Sequence, residues 1–285
     1  MDAENGGIPS PIIKSELGYW KYYSLPIPSD NSNVKYSDVT LYDDFKVSQF
    51  INDVAPNSKI SKICHLDPDV RQSCMKNRPV GWKRSFGQVK SAQSHLGNNK
   101  IEIGDVFVFF GWFKKAELID GKFRYINDKD YPNGFHAIYS YMQIDQIYKP
   151  NIESTPEWLN DHPHVSHKDK DEFANRNNTI YTAAELFKYH DRFNKNGSIS
   201  FVHTDDLILT KKNQPNRTFW ELPGQLNPSN GIKLSYHSNM DRWGFENEKT
   251  TLKSVSRGQE FVFNGHENLA EDWAINLIKC HTVTD

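Results

Sequence analysis

The unbroken apolar run Val106-Phe-Val-Phe-Phe110, inside the segment Ile103–Phe113, constrains this chain more than any other stretch. Its aromatic and β-branched content predicts a strand buried on both sides. A strand of that kind needs sheet neighbours and a packed layer over each face. Asp120-Gly121 then marks a hairpin turn into a second strand over Lys122–Ile126, and a third runs from His136 to Tyr148. Further short strands are expected near Ser198–Val202, Leu207–Thr210, Lys233–His237 and Gln259–Phe263.

Helical periodicity is sparser. Val47, Phe50, Ile51 and Val54 recur at helical spacing and predict a short helix ended by Pro56. Phe86, Val89, Gln93 and Leu96 predict a second helix stopped by Gly97, with Gln88 and His95 two turns apart on one face. Thr182 and Glu185 have capping-box spacing, and Leu269, Trp273, Leu277 and Ile278 mark a C-terminal helix. The first forty residues are extended and turn-rich, with Pro9, Pro11, Pro26 and Pro28 each pushing its predecessor out of helical geometry. The fold class is α+β, a loop-rich mixed or antiparallel sheet with several short helices packed on it. We expect one domain over residues 1–285, with the polar, His-rich segment 151–178 as a lid or internal boundary.

Composition sets outer limits. Only 37% of residues are hydrophobic, and the 13% that are aromatic restore the apolar area a core requires. The N-terminus carries no secretory pattern and no run approaches the ~18 apolar residues of a membrane span, so a soluble cytoplasmic protein without a membrane partner is expected. Cys64, Cys74 and Cys280 form no CxxC pair and are expected to be reduced thiols.

Charge points to function. Between Asp69 and Glu102 the chain has no acidic residue and seven basic ones, Arg71, Lys76, Arg78, Lys83, Arg84, Lys90 and Lys100. About four acids would be expected in a stretch of this length. Such a window inside a chain of formal charge -2 is expected to attract phosphate, with Trp82 and Phe86 interleaved. A solvated basic loop is the plain alternative.

Three constellations could carry chemistry. His65-Leu-Asp67-Pro-Asp69 places carboxylates and an imidazole around a turn, suited to a general base or to a divalent ion on oxygen ligands, or equally to an Asp turn. Asp161-His162-Pro163-His164, near His167, is the densest imidazole cluster. His-x-His can chelate a metal on a strand, but Pro163 and the loop setting favour structural histidines, and we assign no metal. Arg257-Gly-Gln259-Glu260 pairs a guanidinium suited to phosphate with an amide able to read a base edge, although a salt-bridged strand entry fits as well. Tyr236-His237 and Arg242-Trp243 form a similar mixed patch. No Walker loop, dinucleotide fingerprint, GxSxG or HExxH occurs. No cofactor is indicated, and the physical reading ends at a phosphate- or nucleotide-binding α+β protein.

In order, Gly6-Gly-Ile-Pro-Ser-Pro-Ile12, Ser24-Leu-Pro-Ile-Pro-Ser29, Tyr36-Ser-Asp38, His65-Leu-Asp-Pro-Asp69, Phe86-Gly-Gln88, Gly104-Asp-Val-Phe-Val-Phe-Phe-Gly-Trp-Phe113, Asp161-His-Pro-His164, Leu234-Ser-Tyr-His237, Arg242-Trp243 and Arg257-Gly-Gln-Glu-Phe261 form a pattern. It resembles the third type of nucleotide modification-associated domain over essentially the whole chain. The resemblance implies association with systems that alter bases or nucleotides in bacteria and DNA viruses, alongside other proteins of those systems. Its matching motif residues are Asp67, Asp69, Gln88, His162, His164, Arg257 and Gln259. The family's leading strand and Arg-Lys-Gly segment would end where Met1-Asp2 stands, which implies an exposed sheet edge and one basic contact fewer.

Two function classes follow. An enzyme would hold phosphate with Arg78, Arg84 and Arg257, stack a base on Trp82, and move a proton with Asp67 or His162, with Asp69 and His164 completing the catalytic group. Gln88, His237, Arg242 and Gln259 would add substrate contacts. The alternative is a non-catalytic reader of modified bases, since the Ile103–Phe110 segment is similar to the barrel core of small RNA- and modified-base-binding domains of the pseudouridine-synthase-associated type. A scaffold within a modification complex is the third option.

Overall fold

A computed structural model describes residues 7–60, 62–170, 173–189, 195–255, 260–265 and 268–281. Its centre is a mixed sheet of eight strands: β1 Ser10–Lys14, β2 Trp20–Tyr22, β3 Ser85–Gln88, β4 Val106–Ile119, β5 Lys122–Tyr125, β6 Phe135–Tyr148, β7 Thr179–Ala183 and β8 Ser198–Ser200. The hydrogen-bonded order is β2-β1-β4-β6-β7-β3, with β8 on β6 and β5 on β4. The β1–β4 pair is parallel and the others are antiparallel. The helices are α1 Val47–Val54, α2 Lys90–Asn98, α3 Pro163–Ser166 and α4 Leu269–His281. Smaller sheets join Ile27–Pro28 to Cys64–His65, and Ile232–Leu234 to Phe263–Gly265. The α+β class is the one expected.

The β4–β5 hairpin turns at Asp120 and Gly121, with φ of 50° and 74°. Two consecutive left-handed residues match the twist of the flanking strands, as Asp-Gly predicts. Helix α1 also forms as expected. Val47, Phe50 and Ile51 are buried, Phe50 meets Phe123 of β5 edge-on at 5.4 Å, and the helix ends at Val54 before Pro56. These residues belong to a core with Ile13, Leu41 and Cys64, while a second core gathers around β6 with Phe113, Tyr141 and Tyr181. The His65–Asp69 segment lies between them, since Cys64 packs in the first core and Val70 in the second.

The apolar run behaves differently from expectation. It begins at Val106 instead of Ile103, and only Phe109, Phe113 and Ala116 of β4 are buried. The strand buried on both faces is β6, from Phe135 to Ile144. The reason lies in pairing. β4 meets β6 through residues 106–113 but meets β1 only from Phe113 onward, so among the described residues Val106–Trp112 have a strand on one side alone.

Other corrections concern period. Phe86 and Gln88 lie on β3, not on a helix, and α2 begins only at Lys90. Gln88 and His95 therefore share no helix face. Pairing of Phe86 with Tyr181 and Gln88 with Thr179 on β7 outweighs the local 3.6-residue pattern, and Lys90 at φ 56° separates strand from helix. Thr182 pairs with Ser85 inside β7 and is fully buried, so its capping-box spacing starts no helix. Leu207–Thr210 forms a 3-10 turn ending at Leu207 and two isolated bridges at Ile208 and Thr210. The strand expected over Lys233–His237 is Ile232–Leu234, and that over Gln259–Phe263 is Phe263–Gly265, with Gln259 outside the described residues. Segment 151–178 holds a 3-10 turn at Glu157–Leu159 and then α3, and buries Leu159, His162, His164, Phe173 and Asn178.

The sheet is strongly curled. Phe86 on β3 lies 5.1 Å from Phe107 and 5.3 Å from Phe109 on β4, although β6 and β7 intervene in the pairing order. Flat strands about 4.8 Å apart would separate β3 from β4 by roughly 14 Å. The curl brings β3 opposite the stretch of β4 that pairs with β6 alone and leaves a seam between them.

Candidate functional site

A cavity of about 1350 Å³ occupies that seam. Phe86–Gln88 of β3 and Val106–Phe110 of β4 line it, together with Trp220, Phe261, Phe263 and Trp273 from the C-terminal part. One polar end is formed by His65, Asp67 and His164, beside Gly87 and Phe173.

Three distant segments build this end. His65 is placed by pairing with Ile27, and Asp67 follows two residues later. A bridge between Asp69 and Ser85, with backbone bonds of 2.9 and 3.1 Å, holds the segment along β3. The Gly87 amide then donates to Asp67 Oδ1 at 2.9 Å. The other carboxylate oxygen, Oδ2, lies 3.7 Å from His65 Nε2 and 3.8 Å from His164 Nε2. Both separations exceed hydrogen-bond length.

His164 sits on α3 and packs on Phe173 at 4.5 Å. Its Nδ1 lies 2.6 Å from Asn178 Oδ1, while Asn178 Nδ2 donates to the His164 carbonyl at 2.8 Å and to Asn151 Oδ1 at 2.7 Å. The two Nδ2 bonds orient the amide, so Oδ1 is the acceptor, Nδ1 carries the proton, and Nε2 presents a bare lone pair toward Asp67. His162 caps α3 by accepting from the His164 amide through Nδ1 at 3.3 Å, which leaves its proton on Nε2. The Nε2 atoms of His65 and His162 are buried without a hydrogen-bond partner. Burial, reinforced by the neighbouring imidazoles, holds His65 and His162 well below the ordinary histidine range. Burial also brings His164 down to about 4, against the opposing hydrogen bond to Asn178. All three are neutral at pH 7.

Asp67 and His164, distant in sequence, lie side by side, and the His162 ring is 5.3 Å from that of His164. Asp69 does not join them. It takes a bidentate pair from Arg78 at 2.6 and 2.7 Å and a bond from Trp82 Nε1 at 3.3 Å, and Arg78 lies 4.1 Å over the Trp82 ring. The basic window is largely matched from within. Arg84 donates to the Val70 carbonyl at 2.9 Å, Arg71 to the carbonyls of Thr40 and Leu41, and Lys83 to Asp145 at 2.9 Å. Lys100 lines the cavity and is exposed. Gln88 also lines it, donating to Glu260 Oε1 at 2.7 Å. His237 is buried, with Nδ1 2.9 Å from the Ser235 carbonyl and Nε2 accepting from the Val255 amide, while Arg242 donates to the Lys253 carbonyl. Neither lines the cavity. Arg257 and Gln259 lie outside the described residues.

Sequence reasoning put His65 in a candidate constellation without giving it a role, and left out Gly87, Phe173 and Asn178. His65 and Gly87 stood inside quoted motifs, so the signal was present. Asn178 and Phe173 have no local signature, because only the fold brings them to His164.

The curled sheet and its enclosed imidazole–carboxylate group define an α+β protein with a built polar site at the end of an aromatic cavity. The chain belongs to the nucleotide modification associated domain 3 family, whose model matches residues 1–264. No curated protein and no solved structure matches it. Family membership ties the chain to nucleotide-modification systems. Among the described residues no helix is long and apolar enough to cross a membrane.

Proposed function

We propose that this chain is an enzyme that modifies a nucleotide or a nucleic-acid base held in the seam cavity. The observation that carries this reading is the joining of an aromatic cavity to a buried His65–Asp67–His164 group. Phe107, Phe110, Phe261 and Trp273 line the cavity and offer faces on which a base can stack. A volume of about 1350 Å³ is ample for a nucleotide. Asp67 is the proton acceptor, and the neutral imidazoles of His164 and His162 accept and donate beside it. Asp69 supports the group by holding its segment against β3.

Arg78, Trp82 and Arg84 are engaged with Asp69, with each other and with Val70, so the phosphate role passes to Lys100 and Lys188 at the exposed rim of the cavity. Arg257 and Gln259 precede the lining residue Glu260 in the sequence and have side chains of the kinds suited to phosphate and base-edge contacts. A base in duplex DNA would have to be flipped out of the stack to enter.

A reader of modified bases would use the aromatic walls and has no need of the imidazole–carboxylate group. Mass spectrometry of nucleosides from cells with and without the gene tests the enzyme reading, with a changed nucleoside mass expected. Asp67→Asn should abolish the change while purified protein still binds nucleotide. An unchanged nucleoside pool, with nucleotide binding intact, would leave the reader.

A further inference from the structure

We propose that His65 Nε2, Asp67 Oδ2 and His164 Nε2 bind one divalent first-row transition-metal ion with coordination positions open to the cavity. The three donor atoms all lie within 4.8 Å of one another. Nitrogen and oxygen ligands bind such ions at about 2.0–2.2 Å, so donors around an ion stand roughly 3–3.5 Å apart. Closing the trio onto an ion takes side-chain movement on the order of 1 Å.

The arrangement is hard to explain without a cation. His164 directs a bare lone pair at a carboxylate oxygen 3.8 Å away, so two acceptors face each other in a buried site. His65 Nε2 is buried without a hydrogen-bond partner and stands 3.7 Å from the same oxygen. A buried imidazole nitrogen without a partner is costly, and a cation held between the three side chains gives His65 Nε2 that partner. Their outer partners suit ligands as well. Asn178 fixes the His164 tautomer, and the Gly87 amide holds the carboxylate oxygen that faces away. Metal-ligating histidines and carboxylates commonly carry such partners.

Two histidines and one carboxylate with open positions suit an ion that activates water or a small ligand, such as iron(II), manganese(II), cobalt(II) or zinc(II). The adjoining cavity supplies those positions. His162 stands outside the set. Its ring lies 5.3 Å from that of His164, and its Nε2 proton makes it a hydrogen-bond donor beside the ion. The proposal rests on reading this cavity as the reactive site and changes two roles there: with the ion bound, Asp67 and His164 serve as ligands and not as proton carriers, and water on the ion beside His162 takes over as the proton-bearing group. Metal binding itself requires no nucleotide.

Chelator-treated full-length protein titrated with cobalt(II) alone tests it. We expect visible ligand-field bands that saturate at one ion per chain. His65→Gln, Asp67→Asn and His164→Gln should each weaken binding about 10- to 100-fold. In wild-type protein the paramagnetic ion should broaden the Gly87 amide signal first, a readout that stands even if a variant fails to fold. Absence of cobalt binding, or binding that leaves Gly87 sharp and persists in all three folded variants, overturns the proposal. Calorimetry with a nucleotide on the same samples separates the two readings. Metal binding without nucleotide binding sinks the proposed function alone, and nucleotide binding without metal binding sinks the metal site alone.

Discussion

A methyl group on Gly87 would stand 2.6 Å from His164 Nε2. The glycine is therefore required by close approach between β3 and the α3 imidazole, and it lets its own amide reach Asp67. His164 cannot swing away freely, because Phe173 and Asn178 hold the ring. Gly87→Ala should destabilise the protein by about 1–3 kcal/mol through overpacking. It should also weaken cobalt(II) binding while every proposed ligand is retained. Urea unfolding and metal titration check the two effects, and a variant with wild-type values in both would refute the contact.

The Asp69–Arg78 pair makes a second claim. The side chains are 10% and 14% exposed, so removing the carboxylate strands a largely buried guanidinium. Asp69→Ala should cost about 3 kcal/mol, and adding Arg78→Met should recover most of that loss. Equal stability of the single and double variants, measured by urea unfolding, would show that Arg78 finds water or another partner.

Acid should destabilise the fold through His203. This residue is 8% exposed, and its Nδ1 lies 2.8 Å from the Tyr22 hydroxyl. Burial lowers it to about 4, with Lys115 adding to the shift and Asp205, Asp128 and Asp206 opposing it. Below pH ~6.5 the unfolded histidine takes a proton that the folded one refuses, so stability falls as pH drops and the loss is complete below the folded value. One such group contributes a slope of about 1.4 kcal/mol per pH unit. His203→Gln should flatten the pH dependence of the unfolding free energy, read from urea titrations, by about that amount between pH 4 and 6.5, and an unchanged slope would exclude His203 as a source.

Thiol reactivity should divide the three cysteines. Cys64 and Cys74 are buried and pushed up to about 12 and about 11 by desolvation, whereas Cys280 on α4 is exposed. Only thiolates react readily. Native protein should titrate one thiol with a disulfide reagent, and denatured protein all three. More than one fast-reacting thiol in native protein would contradict the packing around Cys64 and Cys74.

Local chemistry was enough to read several elements from the chain. Helix α1 announces itself through Val47, Phe50 and Ile51, the β4–β5 turn through Asp120-Gly121, and α4 through Leu269, Trp273 and Ile278, because short-range spacing alone decides each. The motifs around Asp67, His162 and His164 marked residues that do converge. Tertiary structure decided the rest. Phe86 satisfies a helical period, yet β7 makes it a strand residue, since sheet hydrogen bonds come from a partner about a hundred residues away. The most apolar run lines a cavity because its neighbour β1 reaches only as far as Phe113. The acid-free window looks like an open positive field, but its counter-charges and carbonyls arrive from Asp69, Asp145, Leu41 and Val70 through folding. His65, Asn178 and Gly87 reach His164 only when the sheet curls. Spacing along the chain can specify which side chains share one element, whereas the curl that closes the seam is a property of all the strands together.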